Sequence, residues 1–422
     1  MRDKHRWIEW GKDALIVLLT LSAVYLLSMT PLIQDSGLLD VFRPQPAGGN
    51  ATAGTAQAGA VLPARLAICR NGERYGLQYD DTRMAELFAA LEPLLGDALA
   101  SAGEPWMLTE QEWQRCLQQK SVYFDFSGNI PLTALSRWLR GGDENAPPGS
   151  ARRLALTAGA GDQVVLCWQD GTDGAFYACA TTLSHTLHLD SAVKGITANG
   201  AYFAFEDPKL EQLLAPYTLI TEGGQTGVQY SVTNPLASSA GLEAVLEVLS
   251  FNSQNHAPGS NGEVYLDGAD RLVVEDGGTV TYRAAQEGKY PTGFQSAAQA
   301  AAGARAIAEG VMGPLCGEAR LYLIGVEEYG DGWRLHFGYR LNGSAVYLYD
   351  DGWAAEFVVS GGYITEFTLH LRCYAAAGEN TLLLPIDKAA VMLPDLKADR
   401  HELVIQYLDG GGAVVSPRWE AV

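Results

Sequence analysis

Near its start the chain carries twenty consecutive residues without a charge, Ala14 to Ile33 (ALIVLLTLSAVYLLSMTPLI). Wound as a helix, a run of that length reaches across the roughly 30 Å of hydrocarbon in a bilayer. Arg2, Lys4, Arg6 and Lys12 precede it, whereas Asp35, Asp40 and a single Arg43 follow. That bias keeps the N-terminus in the cytoplasm and sends everything past residue 33 outward. A cleaved secretory signal is the rival reading, but the only nearby small-x-small site, Ser28 to Thr30, runs into Pro31. A buried core helix is a poorer fit, because the segment is apolar on every face and is followed by a tract that cannot fold. The expectation is a single uncleaved span, in a protein of the cell membrane whose bulk lies outside the cytoplasm.

Behind the span, residues 34–63 thin into Gly, Ala, Thr and Pro (PAGGNATAGTAQAGA), too little apolar surface to offset the entropy of ordering them. They read as a flexible tether. The remaining chain is long enough for two or three ordinary domains. Its abundance of tyrosine and glycine, with apolar residues at 47% of the whole sequence, fits packed strands and turns. The net charge of −20 repels phosphate backbones and anionic headgroups, so nucleic acid is disfavoured as a partner.

Hydrophobic periodicity supplies the elements. LAICRNGERYGLQYD (residues 66–80) alternates as a strand pair, and Thr82 opens a helical pattern through Met84, Leu87, Phe88, Leu91, Leu94 and Leu95. Thr109 and Glu112 have the spacing of a capping box, starting a short helix through Trp113 and Leu117 that leads into a strand from Ser121 to Phe126. Pro131 then opens another helix that ends near Gly141. Short Val-, Leu-, Thr-, Tyr- and Phe-rich runs between Arg152 and Phe205 predict an antiparallel meander. Asn234-Pro235 reads as an N-cap with proline at the first helical position, for a helix through Leu242, Val245, Leu246 and Leu249. Three strands joined by Asp-Gly and Gly-Gly turns follow. An alanine-rich helix from Ser296 to Met312 precedes strands with turns at Gly330-Asp331-Gly332, Asn342-Gly343 and Gly361-Gly362. The helix-then-meander order thus occurs twice, as a degenerate duplication or as a common arrangement met by coincidence. A helix from Ile386 to Met392 and a strand from Glu402 to Leu408 close the chain.

The fold class is therefore α+β: a transmembrane helix followed by two or three extracytoplasmic domains of helices packed on antiparallel β-meanders. The expected organisation is a tail at 1–13, the span at 14–33, the tether at 34–63, and domains at 64–216, 217–289 and 290–422.

Chemistry is sparse. No GxSxG, phosphate loop, HExxH or EF-hand motif appears, so neither catalysis nor a metal or cofactor is expected. The acidic pairs Asp80-Asp81, Glu327-Glu328 and Asp350-Asp351 read as solvated turn charges, since neighbours on a strand point to opposite faces. The same argument separates His185 from His188, placed in a strand, and Lys289 reads as a surface charge. Trp333, Tyr339, Tyr347, Tyr349, Trp353 and Tyr363 can line a glycan or peptide groove or simply fill a core. Cys167 and Cys179 flank Asp170-Gly171-Thr172-Asp173-Gly174, and a hairpin centred there would set them opposite each other as a candidate disulfide. Two buried free thiols are the alternative. Within the span, Thr20, Ser22, Tyr25 and Ser28 offer a mildly polar face for a second membrane helix, the alternative being a plain lipid-facing anchor.

Two strings, TEQEWQRCLQQKSVYFDFSGNIPL (Thr109 to Leu132) and VYLDGADRLVVEDGGTVTYRA (Val264 to Ala284), together with the anchor and the helix-plus-meander stretch from Tyr290 to Met392, resemble the YycH/YycI group. These are single-span regulators associated with the WalK (YycG) sensor kinase of low-GC Gram-positive bacteria. The likeness covers about two thirds of the chain and omits residues 152–205. It implies a non-enzymatic regulator of a two-component sensor histidine kinase, working by protein contacts of its spanning helix and outer domains, with a sibling regulator of the same group as a further partner. The contact element in the membrane would be Leu15, Val17, Leu18, Thr20, Leu21, Ser22, Val24, Tyr25 and Ser28. A tethered module that binds cell-wall glycan or peptide is the alternative function.

Overall fold

The protein's structure is a computed structural model that describes residues 61–70, 72–140, 146–221, 226–285, 287–293, 296–348, 352–392 and 401–422. The tail, the apolar run with its Leu15 to Ser28 contact face, nearly all of the tether and Tyr349 lie outside the described residues. Among those described, no helix is long and apolar enough to cross a membrane.

Seven strands build the first sheet: β1 (Arg65–Arg70), β2 (Glu73–Gln78), β3 (Trp106–Leu108), β4 (Ser121–Pro131), β5 (Ser150–Ala158), β6 (Gln163–Asp170) and β7 (Phe176–Ser184), in the order β2-β1-β4-β5-β6-β7-β3. All of its pairings are antiparallel. Period-two alternation divides the strands between two cores. Leu66, Ile68, Val122, Phe124 and Leu154 face helix α1 (Asp81–Ala100), which contributes Met84, Phe88, Leu91 and Leu95. Ala67, Tyr123, Ala155 and Cys167 face the opposite way, onto Trp113 and Leu117 of helix α2 (Glu110–Gln118) and onto Phe203 and Tyr217.

The capping box at the start of α2 forms as its spacing predicts. Thr109 Oγ1 accepts from Glu112 N, while the Glu112 carboxylate accepts from Thr109 N at 2.8 Å. Thr109→Ala should cost about 1 kcal/mol, seen as a lowered denaturation midpoint with an unchanged slope; an unshifted midpoint would refute the assignment. Pro131 ends β4, and helix α3 (Leu132–Arg140) follows directly. The expected meander holds through Ser184, where the chain instead coils into a π-helical turn, His185–Leu189. His185 and His188 therefore sit on this turn and not on a strand. Strands β8 (Tyr202–Phe203) and β9 (Leu219–Ile220) form a small pair beside the first sheet.

Strand β10 (Thr226–Thr233) leads to Asn234, whose side chain accepts from Leu236 N and caps only a 3₁₀ turn. The α-helix α4 (Ser239–Val248) starts four residues later under the Ser238 hydroxyl, so the expected Asn-Pro helix start is displaced. Then come β11 (His256–Pro258), β12 (Gly262–Asp267), β13 (Asp270–Glu275), β14 (Thr279–Arg283), β15 (Tyr290–Pro291) and helix α5 (Ala297–Met312). They are followed by β16 (Arg320–Tyr329), β17 (Gly332–Leu341), β18 (Ser344–Leu348), β19 (Ala355–Ser360), β20 (Tyr363–His370) and β21 (Cys373–Leu382). Helix α6 (Ile386–Met392) and strands β22 (Leu403–Asp409), β23 (Val414–Val415) and β24 (Pro417–Ala421) complete the chain.

The two meanders join through β14 against β20 into one twelve-stranded sheet, and β21-β10-β23 forms a separate three-stranded one. The Asn342-Gly343 turn has positive φ at both residues (48° and 83°), as a type I′ hairpin demands. Its asparagine also reaches the junction between β2 and α1: Nδ2 donates to Tyr79 O at 2.8 Å and Oδ1 accepts from Asp81 N at 2.9 Å. The fold is α+β as the sequence predicts, with antiparallel sheets except where β18 and β22 pair in parallel.

Candidate functional site

A buried ion network joins the first sheet to the end of the chain. On β4, Asp125 shares a face with Tyr123, and β1 presents Arg65 to the same side. Regular β5 would offer that side only one of the neighbours Arg152 and Arg153. The ladder between β5 and β6 shifts register between Ala151 and Arg153, however, and β4 is irregular after Asp125. A bulge of this kind redirects a side chain, and here it lets both arginines turn to the same carboxylates. Arg152 donates to Asp125 Oδ1 through Nε at 2.8 Å and to Oδ2 through Nη2 at 3.1 Å. Arg65 Nη1 reaches Asp125 Oδ2 at 2.8 Å.

The second acid is Glu402, immediately ahead of β22. Its backbone exchanges two hydrogen bonds with Val422, continuing the β22–β24 pairing. Arg152 Nη2 and Arg153 Nη2 donate to Glu402 Oε2 at 2.7 and 2.9 Å, and Arg65 bonds Oε1. Asp125 is fully buried and Glu402 nearly so. Burial alone would raise both carboxylate pKa values, yet the guanidiniums of Arg152, Arg65 and Arg153 outweigh it and hold both below the usual carboxylate range. A carboxylate held ionised by several guanidiniums in this way does not take up a proton near neutrality. The network positions strands; it is not a general acid or base.

The remaining sequence candidates fall apart spatially. Cys167 stands opposite Ala178, while Cys179 stands opposite Leu166, one residue out of register. The two thiols therefore point into different cores and are unbonded, so the Cys167–Cys179 disulfide does not form. Cys167 Sγ instead lies 3.7 Å from Cys116 Sγ on α2. Asp81, read as a solvated turn charge, is buried against Arg340. Lys289, read as a surface charge, pairs with Asp267 and lies 4.3 Å above the Phe251 ring. Of the aromatics, Tyr339 is fully buried, and Trp353 stacks between His336 and His370 with centroids 5.3 and 5.9 Å away. The sequence did carry a signal for the network, a charge inside the aromatic run VYFDF and two arginines in an apolar strand, but nothing named their partner 250 residues away.

No protein-family model matches the sequence, and no curated protein matches it. The architecture is informative where the sequence is not. The crystal structure of YycH from Bacillus subtilis superposes with a TM-score of 0.53 over 86% of this chain and 94% of that one, at 12% identity. The fold is YycH-like. An uncharacterized protein from Eubacterium rectale aligns over 47% of this chain with a TM-score of 0.29 and 12% identity.

Proposed function

We propose that this chain is a membrane-anchored, extracytoplasmic regulator of a two-component sensor histidine kinase. The YycH-like fold over most of the chain carries the reading, and the apolar run Ala14 to Ile33 with its basic flank supports the anchor. A regulator of this kind needs only to bind one kinase state better than another. A differential of about 1–3 kcal/mol shifts the balance roughly 5- to 150-fold. Two proteins held in one bilayer meet at high effective concentration, so weak contacts along Leu15 to Ser28 suffice. The twelve-stranded sheet, tied to the first by the ion network, is suited to presenting an outer contact surface as one piece. A sibling regulator of the same group is the further partner.

Purification of the tagged full-length chain from its own membranes in mild detergent should recover a histidine kinase. Recovery of none, with the tagged chain itself intact and folded, refutes the proposal. Substituting the Thr20, Ser22, Tyr25 and Ser28 face with leucine should reduce that recovery if the membrane helix is the contact.

A further inference from the structure

Two arginines outside the ion network are buried without enough partners. Arg340 on β17 is 3% exposed and Arg305 on α5 is 6% exposed. Arg340 Nη1 donates to the Leu62 carbonyl at 2.9 Å and Nη2 lies 3.5 Å from Asp81 Oδ1, but its Nε has no hydrogen-bond partner among the described residues. The Arg305 guanidinium sits 4.7 Å over the Trp138 ring of α3, with Nε 3.9 Å from Glu309 Oε1 and Nη1 likewise without a partner. Both charge pairs are too long for good hydrogen bonds. A third arginine, Arg320, is half exposed and 3.9 Å from the other oxygen of Asp81.

These side chains surround open space. Arg305, Arg340, Trp138 and Tyr322 line a narrow cavity of about 30 Å³. It shares Leu62, Glu309, Leu321 and Arg340 with a wider one of about 160 Å³ that Arg320 and Cys316 also line. At about 30 Å³ per water the wider space holds several waters or one small polyatomic ion. Three guanidiniums face two carboxylates here, an excess of positive charge within a chain of net −20. Burial pushes the Arg305 and Arg340 pKa values down and that of Glu309 up, since the long contacts to Glu309 and Asp81 do not make good the lost hydration.

We propose that the wider cavity, beside α5 and the β16–β17 pair, binds a small oxyanion between the guanidiniums of Arg340 and Arg320, which both line it. Planar guanidiniums suit the paired oxygens of a phosphate or a carboxylate. The cavity is separate from the Asp125–Glu402 network and does not depend on the kinase reading.

Calorimetric titration of the full chain in detergent with inorganic phosphate, and separately with acetate, tests it against sodium chloride at matched ionic strength. Saturable binding of phosphate or acetate in the millimolar range or tighter, absent with chloride, is expected, and the stronger of the two identifies the ligand class. Arg320→Met should weaken that binding by about tenfold or more, the loss of one charge-assisted contact, whereas Arg283→Met, at an exposed pair on β14, should leave it unchanged. Arg340→Met should act like Arg320→Met wherever it folds. No saturable heat with either anion for the unsubstituted protein overturns the proposal, and so does equal binding by Arg320→Met.

Discussion

Replacing Asp125 by alanine is expected to lower the unfolding free energy by about 3–5 kcal/mol, the range for removing one partner of a buried ion pair. The size follows from what remains. Asp125 accepts from Arg65 and Arg152, and Arg153 lies within 3.9 Å, so its loss leaves three clustered guanidiniums with Glu402 as their one carboxylate among the described residues. Like charges then meet in a site from which water is excluded. Asp125→Asn should cost nearly as much, because the amide keeps the shape but loses the charge and turns a donor toward donors. The same network predicts an acid limit. Both carboxylates have pKa values depressed by folding, so their stabilisation is complete above the ordinary carboxylate pKa near 4 and is lost as pH falls from there toward the depressed values. Denaturant unfolding of the full chain, followed by tryptophan fluorescence from neutral pH down to about pH 3, should show the native protein losing stability more steeply than Asp125→Ala. Parallel curves, or a midpoint for Asp125→Ala equal to that of the unsubstituted protein, would remove the network from any account of this fold.

Local chemistry was readable where local chemistry decides. Thr109 and Glu112 cap their helix, Asn342-Gly343 makes its hairpin and the alanine-rich helix forms where its pattern begins, because each depends on residues a few positions apart. The ion network was hidden for the opposite reason. It depends on a one-residue register shift at Arg152 and on an acid 250 residues further along, and neither follows from period-two alternation. The same shift explains why a rule about opposite faces misleads for the Arg152-Arg153 pair, while that rule, applied across β6 and β7, is what separates Cys167 from Cys179. Asp81 was misread because burial there is imposed by Asn342 and Arg340 arriving from the other sheet. Sequence therefore outlined the elements, and long-range pairing assigned the roles of their charges.

The irregular stretch of β4 that frees Asp125 also makes the contact between the sheets, so Gly128→Ala is expected to be the other severe substitution. A Cβ at Gly128 would run into the Leu323 carbonyl oxygen and come within 2.7 Å of Ile324 O and 2.8 Å of Ile324 Cα. These are backbone atoms of β16, which no rotamer change can move aside. β16 is itself irregular between Leu323 and Gly325, so the two strands meet at their distortions. Overpacking of a filled interior costs about 1–3 kcal/mol, and a collision with backbone belongs at the upper end. Gly277→Ala, where an added Cβ meets nothing within 4 Å, should stay within about 0.5 kcal/mol of the parent and serves as the control. Chemical denaturation of both variants would decide the matter, and equal midpoints would mean that β4 and β16 are not held this closely. Gly128 lies three residues from Asp125 on one strand, so the pair should couple. If steric and ionic contacts secure the same junction, the double variant loses less than the two single losses together, whereas independent contacts would give simple addition.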